Sequence, residues 1–147
     1  MMDMRTKYNN LPCKVQFPQH GDERGWLVVM EGEKDVPFDI ARIFYIYGSD
    51  GDVIRGRHAN RKSEFVLVNV CGSCKVRTDD GLGHEKIFVL DKPHEGIFIP
   101  KMVWKDMYDF SQDSILLCLS SEKYDNSEYI RDYSEFVMEM KGLRDGS

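Results

Sequence analysis

The chain has 147 residues and carries 20 Lys and Arg against 25 Asp and Glu, a net charge of −5. That length implies one domain, residues 1–147, able to bury a full core without staples; the acidic balance excludes an electrostatic case for nucleic acid but leaves room for a phosphorylated ligand, which needs only a local Arg or Lys cluster. No apolar run nears the ~18 residues of a membrane span, and the start MMDMRTKYNNLPCK has no apolar signal-peptide core, so a cytoplasmic protein away from the membrane is expected, with its four cysteines as reduced thiols.

Taken in chain order, residues 1–14 show no period, and Lys14–Phe17 reads as a short edge strand. HGDERG (20–25) is turn material ahead of a strand over Trp26–Glu31. Pro37 sets up an extended entry into IARIFYIY (40–47), a β-branched and aromatic strand. Its alternation puts Ala41, Ile43, Tyr45 and Tyr47 on one face and Arg42, Phe44 and Ile46 on the other. GSDGD (48–52) closes that unit.

The centre of the chain is Arg55–Gly72, RGRHANRKSEFVLVNVCG. Its polar half holds Arg55, His58, Asn60 and Glu64, and its apolar half, Phe65–Val70, is a strand. His58 and Asn60 are two apart and share a face if extended. Continued extension would bring Glu64 back to that face. Such a polar triad is costly unless its side is wet or lines a cavity, so a pocket is expected there. Cys71 and Cys74 form a lone CxxC across a hairpin turn. A zinc site needs four ligands, so the pair is read as structural.

Further strands are expected at Lys75–Thr78, Lys86–Leu90, Gly96–Ile99, Met102–Tyr108 and Ser114–Ser121, with DDGLG (79–83) as a hairpin turn. The even spacing of many short strands predicts an all-β sandwich or barrel with a core over about residues 14–122. One helix closes the chain at about 127–141. Ile130, Tyr133, Val137 and Met140 recur at helical spacing, with Ser127 as N-cap and Gly142 as stop. DNSEY (125–129) and this helix are read as structural, the helix packing on the outside.

Short antiparallel strands with a central HxNxxxE and a later GxxxP resemble a cupin-type jelly roll. Metal-binding cupins carry a pattern similar to HxH followed by Glu, and a further His after a Pro. Here Asn60 replaces the second His, and KMVWKDM follows Pro100 with no His. Only His58 and Glu64 remain of the usual ligands, and a catalytic metal wants three, so no metal is expected. More narrowly, RGRHAN, FVLVNVCGSCKV, GIFIPKMVWKDMYDF and SSEKYDNSEYIRDYSEF resemble the sugar 3,4-ketoisomerase family from about Gly25 to Phe136.

That resemblance implies a homodimer, without metal or organic cofactor, that acts on a dTDP-linked 4-keto-6-deoxysugar in deoxyamino-sugar synthesis. It implies that His58 moves a proton between neighbouring carbons and that Tyr45 polarises the carbonyl. Arg55 would face the phosphates, and Arg24 and Lys105 would lie near the sugar. Asn60 stands where the family pattern has a second His and would hydrogen-bond a sugar hydroxyl or the enediolate. Read from the residues, Trp104 could stack on a base or ring or serve as core, and Glu64 could orient a neighbour or pair with Arg55 or Arg57. An imidazole of ordinary pKa suits the proton transfer. Two other readings fit the same pocket: a non-catalytic sugar-nucleotide binding module, and a 3,5-epimerase, which would need a His–Asp base pair.

Overall fold

Side-chain alternation along short strands builds the molecule, whose computed structural model describes residues 10–146. Residues 1–9 and 147 of the expected single unit lie outside the described residues. The strands are β1 (Cys13–Gln16), β2 (Gln19–Asp22), β3 (Gly25–Val28), β4 (Arg42–Tyr47), β5 (Arg55–Asn60) and β6 (Phe65–Cys71). They continue as β7 (Cys74–Asp79), β8 (Glu85–Leu90), β9 (Glu95–Ile99), β10 (Trp104–Tyr108), β11 (Ile115–Ser120) and β12 (Tyr129–Ile130). A 3₁₀ turn spans Asn126–Glu128, and helix α1 spans Tyr133–Asp145.

Two five-stranded antiparallel sheets carry the fold, in the orders β1-β9-β6-β11-β4 and β12-β5-β10-β7-β8. Their facing sides share one apolar core. Phe65, Leu67, Ile97, Ile99, Leu116 and Cys118 of the first sheet meet Cys74, Val76, Phe88, Leu90 and Met107 of the second. This is the expected all-β jelly roll of cupin type with one C-terminal helix. β6 is buried on both faces: Phe65 and Leu67 point to that core, while Val66 and Val68 enter a second cluster with Val15, Phe17, Val36, Phe38 and Phe98. A continuous apolar run is what two-sided burial demands.

Four expectations change. The segment 20–25, expected as a turn, instead supplies most of β2 and the start of β3, which pair in a separate two-stranded hairpin. The helix starts later than 127, because Tyr129 and Ile130 pair with Asn60 and Ala59 as β12. Its N-cap is Asp132, whose side chain accepts from the Glu135 N–H, and not Ser127, which lies in the 3₁₀ turn. Gly142 does not stop it: the helix runs through to Asp145 and is capped by Gly146. The helix does pack on the outside, where Phe136 joins Trp104, Ala59 and Ile130 on the outer face of the second sheet.

The CxxC straddles the β6–β7 turn as expected, with Cys71 exposed and Cys74 buried, both free thiols. No helix among the described residues is long and apolar enough to cross a membrane.

Candidate active site

β5 carries the site, and a bulge in it decides which side chains face inward. Lys105 of β10 pairs with His58, but its neighbour Asp106 pairs with Gly56, so Arg57 is an extra residue on β5. Gly56 and Arg57 both have positive φ, 84° and 54°. A Cβ on residue 56 would stand 2.9 Å from the Lys105 carbonyl oxygen, so only glycine fits. Arg55 and His58 are three apart and would face opposite sides of a regular strand. The extra residue brings both to one cavity.

That cavity, about 130 Å³, opens inside the jelly roll and is lined by Arg55, Gly56, His58, Lys105, Cys118 and Tyr129 over an apolar floor that includes Phe44, Phe65 and Leu67. A larger apolar cavity of about 670 Å³ lies between the segment around Leu11 and helix α1, and shares none of these residues. Convergence of titratable groups, not size, marks the smaller one as the candidate site.

His58 Nδ1 lies 2.9 Å from the Gly56 carbonyl oxygen. A carbonyl only accepts, so Nδ1 carries the hydrogen and Nε2 is left as the basic nitrogen. The ring packs against Tyr129 with centroids 4.8 Å apart. Burial, followed by the nearby charges of Lys105 and Arg131, pushes His58 from its ordinary value down to about 3, although the bond to Gly56 opposes this. The expected imidazole of ordinary pKa is therefore not present. Without a bound anion the ring is neutral throughout the physiological range.

Asn60 shares the inward face of His58, as the spacing required, but sits behind the cavity at 1% exposure. Its Oδ1 accepts from Lys105 Nζ at 3.0 Å, and its Nδ2 donates to Glu128 Oε1 at 2.8 Å. Glu128 also accepts from the Ser63 N–H and hydroxyl, at 3.0 and 2.9 Å. Asn60 is thus held between two ions and is not free to meet a sugar hydroxyl, contrary to expectation. Lys105 is 3% exposed and lies over the Phe65 ring at 5.0 Å. Burial pulls its amine down to about 7, with Glu128 acting to hold it up.

Several candidates lie elsewhere. Tyr45 is 61% exposed on the outer face of β4, because the inward positions are Arg42, Phe44 and Ile46. It cannot polarise a carbonyl in this cavity of its own chain. The tyrosine that lines the cavity is Tyr129, whose hydroxyl accepts from Arg42 Nη2 at 3.4 Å. Trp104 and Lys105 are consecutive in a strand and must face opposite ways. Lys105 points in, and Trp104 packs outward edge-on to Tyr133 at 5.2 Å. Trp104 is core beneath the helix and does not stack on a ligand in the cavity.

Arg24 sits on the β2–β3 hairpin, paired with Asp22, and is not among the residues that line the cavity. Glu64 does not return to the face of His58, because the chain turns at Arg61–Lys62 between β5 and β6. It lines a separate polar cavity with Glu33, Lys62 and Lys101. The two cupin ligand positions that remain, His58 and Glu64, therefore do not converge. Among the described residues no three His, Cys, Asp or Glu side chains gather as a metal site. The residues do not fit a cupin metal.

Tyr129 was missed because the segment 125–129 reads locally as a helix start. Its partner in β5 is 69 positions away, and the one local signal was that Tyr129 opens the YIRDY segment. Arg42 and Arg131 were missed for the same reason, since only folding sets them around Tyr129.

A protein-family model described as FdtA: WxcM-like, C-terminal, matches residues 12–141. The chain is 43% identical over 122 residues to a TDP-4-oxo-6-deoxy-alpha-D-glucose-3,4-oxoisomerase from Aneurinibacillus thermoaerophilus, covering 83% of this chain and 87% of that one. Among solved structures it is similar to a 3,4-ketoisomerase from Helicobacter canadensis, with TM-score 0.85, 40% identity, and coverage of 88% of this chain and 97% of that one. It is also similar to a mutant 3,4-ketoisomerase from Thermoanaerobacterium thermosaccharolyticum in complex with TDP-4-keto-6-deoxyglucose, with TM-score 0.86, 38% identity, and coverage of 89% and 94%.

Proposed function

Because the chain belongs to the FdtA family, WxcM-like, C-terminal, we propose that it is a sugar-nucleotide 3,4-ketoisomerase acting on a TDP-linked 4-keto-6-deoxyglucose. The observation that carries this is the cavity itself, in which a neutral His58 faces a ring of Arg55, Lys105 and Tyr129. His58 Nε2 takes the proton from carbon 3 of the sugar and returns it to carbon 4 through an enediolate. The cationic surroundings stabilise the negative charge as it develops. A bound diphosphate would offset the Lys105 and Arg131 charges, which add to the larger effect of burial in depressing His58.

Arg55, exposed at the edge of the cavity, holds phosphate. The 3,5-epimerase reading needs a carboxylate behind the histidine. His58 Nδ1 instead meets the Gly56 carbonyl, which favours the isomerase.

The functional unit in this reading is a homodimer. It is supported by an exposed apolar row, Ile43, Tyr45 and Tyr47, along the edge strand β4, and by exposed Trp26 and Leu27 on the projecting hairpin. A cytoplasmic location is supported by the thiols, all free among the described residues.

Incubation with TDP-4-keto-6-deoxyglucose in deuterated water, followed by NMR, tests the assignment. A 3-keto product is expected. Exchange at carbon 5 would make the protein an epimerase. TDP binding without turnover would make it a binding module.

A further inference from the structure

Resting on the isomerase assignment above, we propose that Lys105 moves the oxygen-bound proton of the reaction while His58 moves the carbon-bound one. Ketone migration from carbon 4 to carbon 3 relocates two protons. One leaves carbon 3 and arrives at carbon 4. The other leaves the carbon 3 hydroxyl and arrives at the carbon 4 oxygen. A single imidazole occupied with the first cannot also carry the second.

Lys105 is placed for the second. It is the register partner of His58, so both side chains project from neighbouring strands on the inner face. It lines the same cavity while almost wholly buried. An ammonium has three N–H donors, and Asn60 accepts one at 3.0 Å. Glu128, itself held by Ser63, fixes the Asn60 amide so that its oxygen faces the lysine. Asn60 and Glu128 are positioning residues.

The step balances. The Lys105 ammonium gives a proton to the carbon 4 oxygen as His58 takes the proton from carbon 3. The resulting amine takes the proton from the carbon 3 hydroxyl as the imidazolium returns its proton to carbon 4. The new carbonyl forms at carbon 3, and both groups end as they began. An amine drawn to about 7 by burial serves in both directions. The charged and titratable groups around it are His58 and Arg55 on β5, Arg42 on β4, Cys118 on β11, Glu128 at the end of the 3₁₀ turn, and Tyr129 and Arg131 beyond it. Cys118, pushed up to about 12 by burial, stays protonated and takes no part.

The test is turnover of TDP-4-keto-6-deoxyglucose by NMR, with TDP affinity measured by calorimetry. Lys105→Met should lower kcat at least ~100-fold while TDP affinity stays within about threefold. Lys105→Arg should not restore the rate, because a guanidinium keeps its proton. Glu128→Gln should move the pH limb of kcat to lower pH, since the carboxylate is what holds the lysine protonated.

A Lys105→Met rate within tenfold of wild type would overturn the inference, as would substantial rescue by arginine or an unmoved limb in Glu128→Gln. The Glu128→Gln limb also decides the matter if Lys105→Met does not fold. Wild type that turns over while Lys105→Met matches it defeats this inference alone. Wild type that does not turn over defeats the isomerase assignment and this inference together.

Discussion

Asn60 Nδ2 donates to Glu128 Oε1 at 2.8 Å, across 68 positions of sequence. The same amide accepts from Lys105, so one neutral side chain spaces a buried cation from a buried anion. Removing it takes the amide acceptor from Lys105 and leaves Glu128 with only its Ser63 bonds. Asn60→Leu should therefore destabilise the fold by ~2–4 kcal/mol, within the range for breaking a buried charged network. Denaturant unfolding at neutral pH checks this, and a loss under ~1 kcal/mol would mean that water or a rearranged Ser63 replaces the amide.

His58 makes stability depend on pH with a definite sign. Its folded value of about 3 lies below the ordinary 6.5 of the unfolded chain. Between those values the unfolded state holds a proton that the folded state does not. The contribution of the neutral ring is thus complete above pH 6.5 and is lost as the pH falls toward 3, with a slope of up to ~1.4 kcal/mol per pH unit. His58→Gln keeps every carboxylate and lacks this term. Wild type should lose more stability than His58→Gln between pH 7 and pH 4 in paired denaturation curves. Parallel curves would show that the ring is solvated and ordinary.

Gly56 holds the bulge that aims Arg55 and His58 into one cavity. With φ at 84° and the Lys105 carbonyl 2.9 Å from any added Cβ, Gly56→Ala should cost at least ~2 kcal/mol. Calorimetric melting measures it. A near-neutral effect would mean that the strand slips without strain.

Tyr45 and Tyr129 separate the local reading from the folded one. Tyr45→Phe should keep wild-type kcat, because Tyr45 lies on the outer face. Tyr129→Phe, which removes the hydroxyl that meets Arg42 beside His58, should lose tenfold or more, about 1.4 kcal/mol of barrier. Steady-state rates for the two variants decide between them, and the reverse ranking would return the role to Tyr45.

Arg55→Ala should weaken TDP binding by roughly 1.5–3 kcal/mol if the guanidinium makes a charge-assisted phosphate bond. Titration of both proteins at one salt concentration reads the difference. Equal affinities would leave Arg55 with no phosphate to hold.

Period-two alternation determined much of this protein before any folding was known. It placed β4 and β6 through β11 within a residue or two, separated the faces of β4, and put His58 and Asn60 on one side of the segment that becomes β5. These are local facts, because side-chain direction in a strand depends only on its own backbone. What lay beyond local reach was which face becomes the inside. Tyr45 and Phe44 alternate correctly in the sequence, but only the opposing sheet decides that Phe44 is inward. The bulge at Gly56–Arg57 is visible only as a register shift against Lys105 and Asp106, a partner some fifty residues away. The chain from Lys105 through Asn60 to Glu128 joins three segments that no spacing rule connects. Burial then set the chemistry of Lys105 and His58: in water both would titrate at their ordinary values, and desolvation lowers both, with Lys105 adding to the effect on His58.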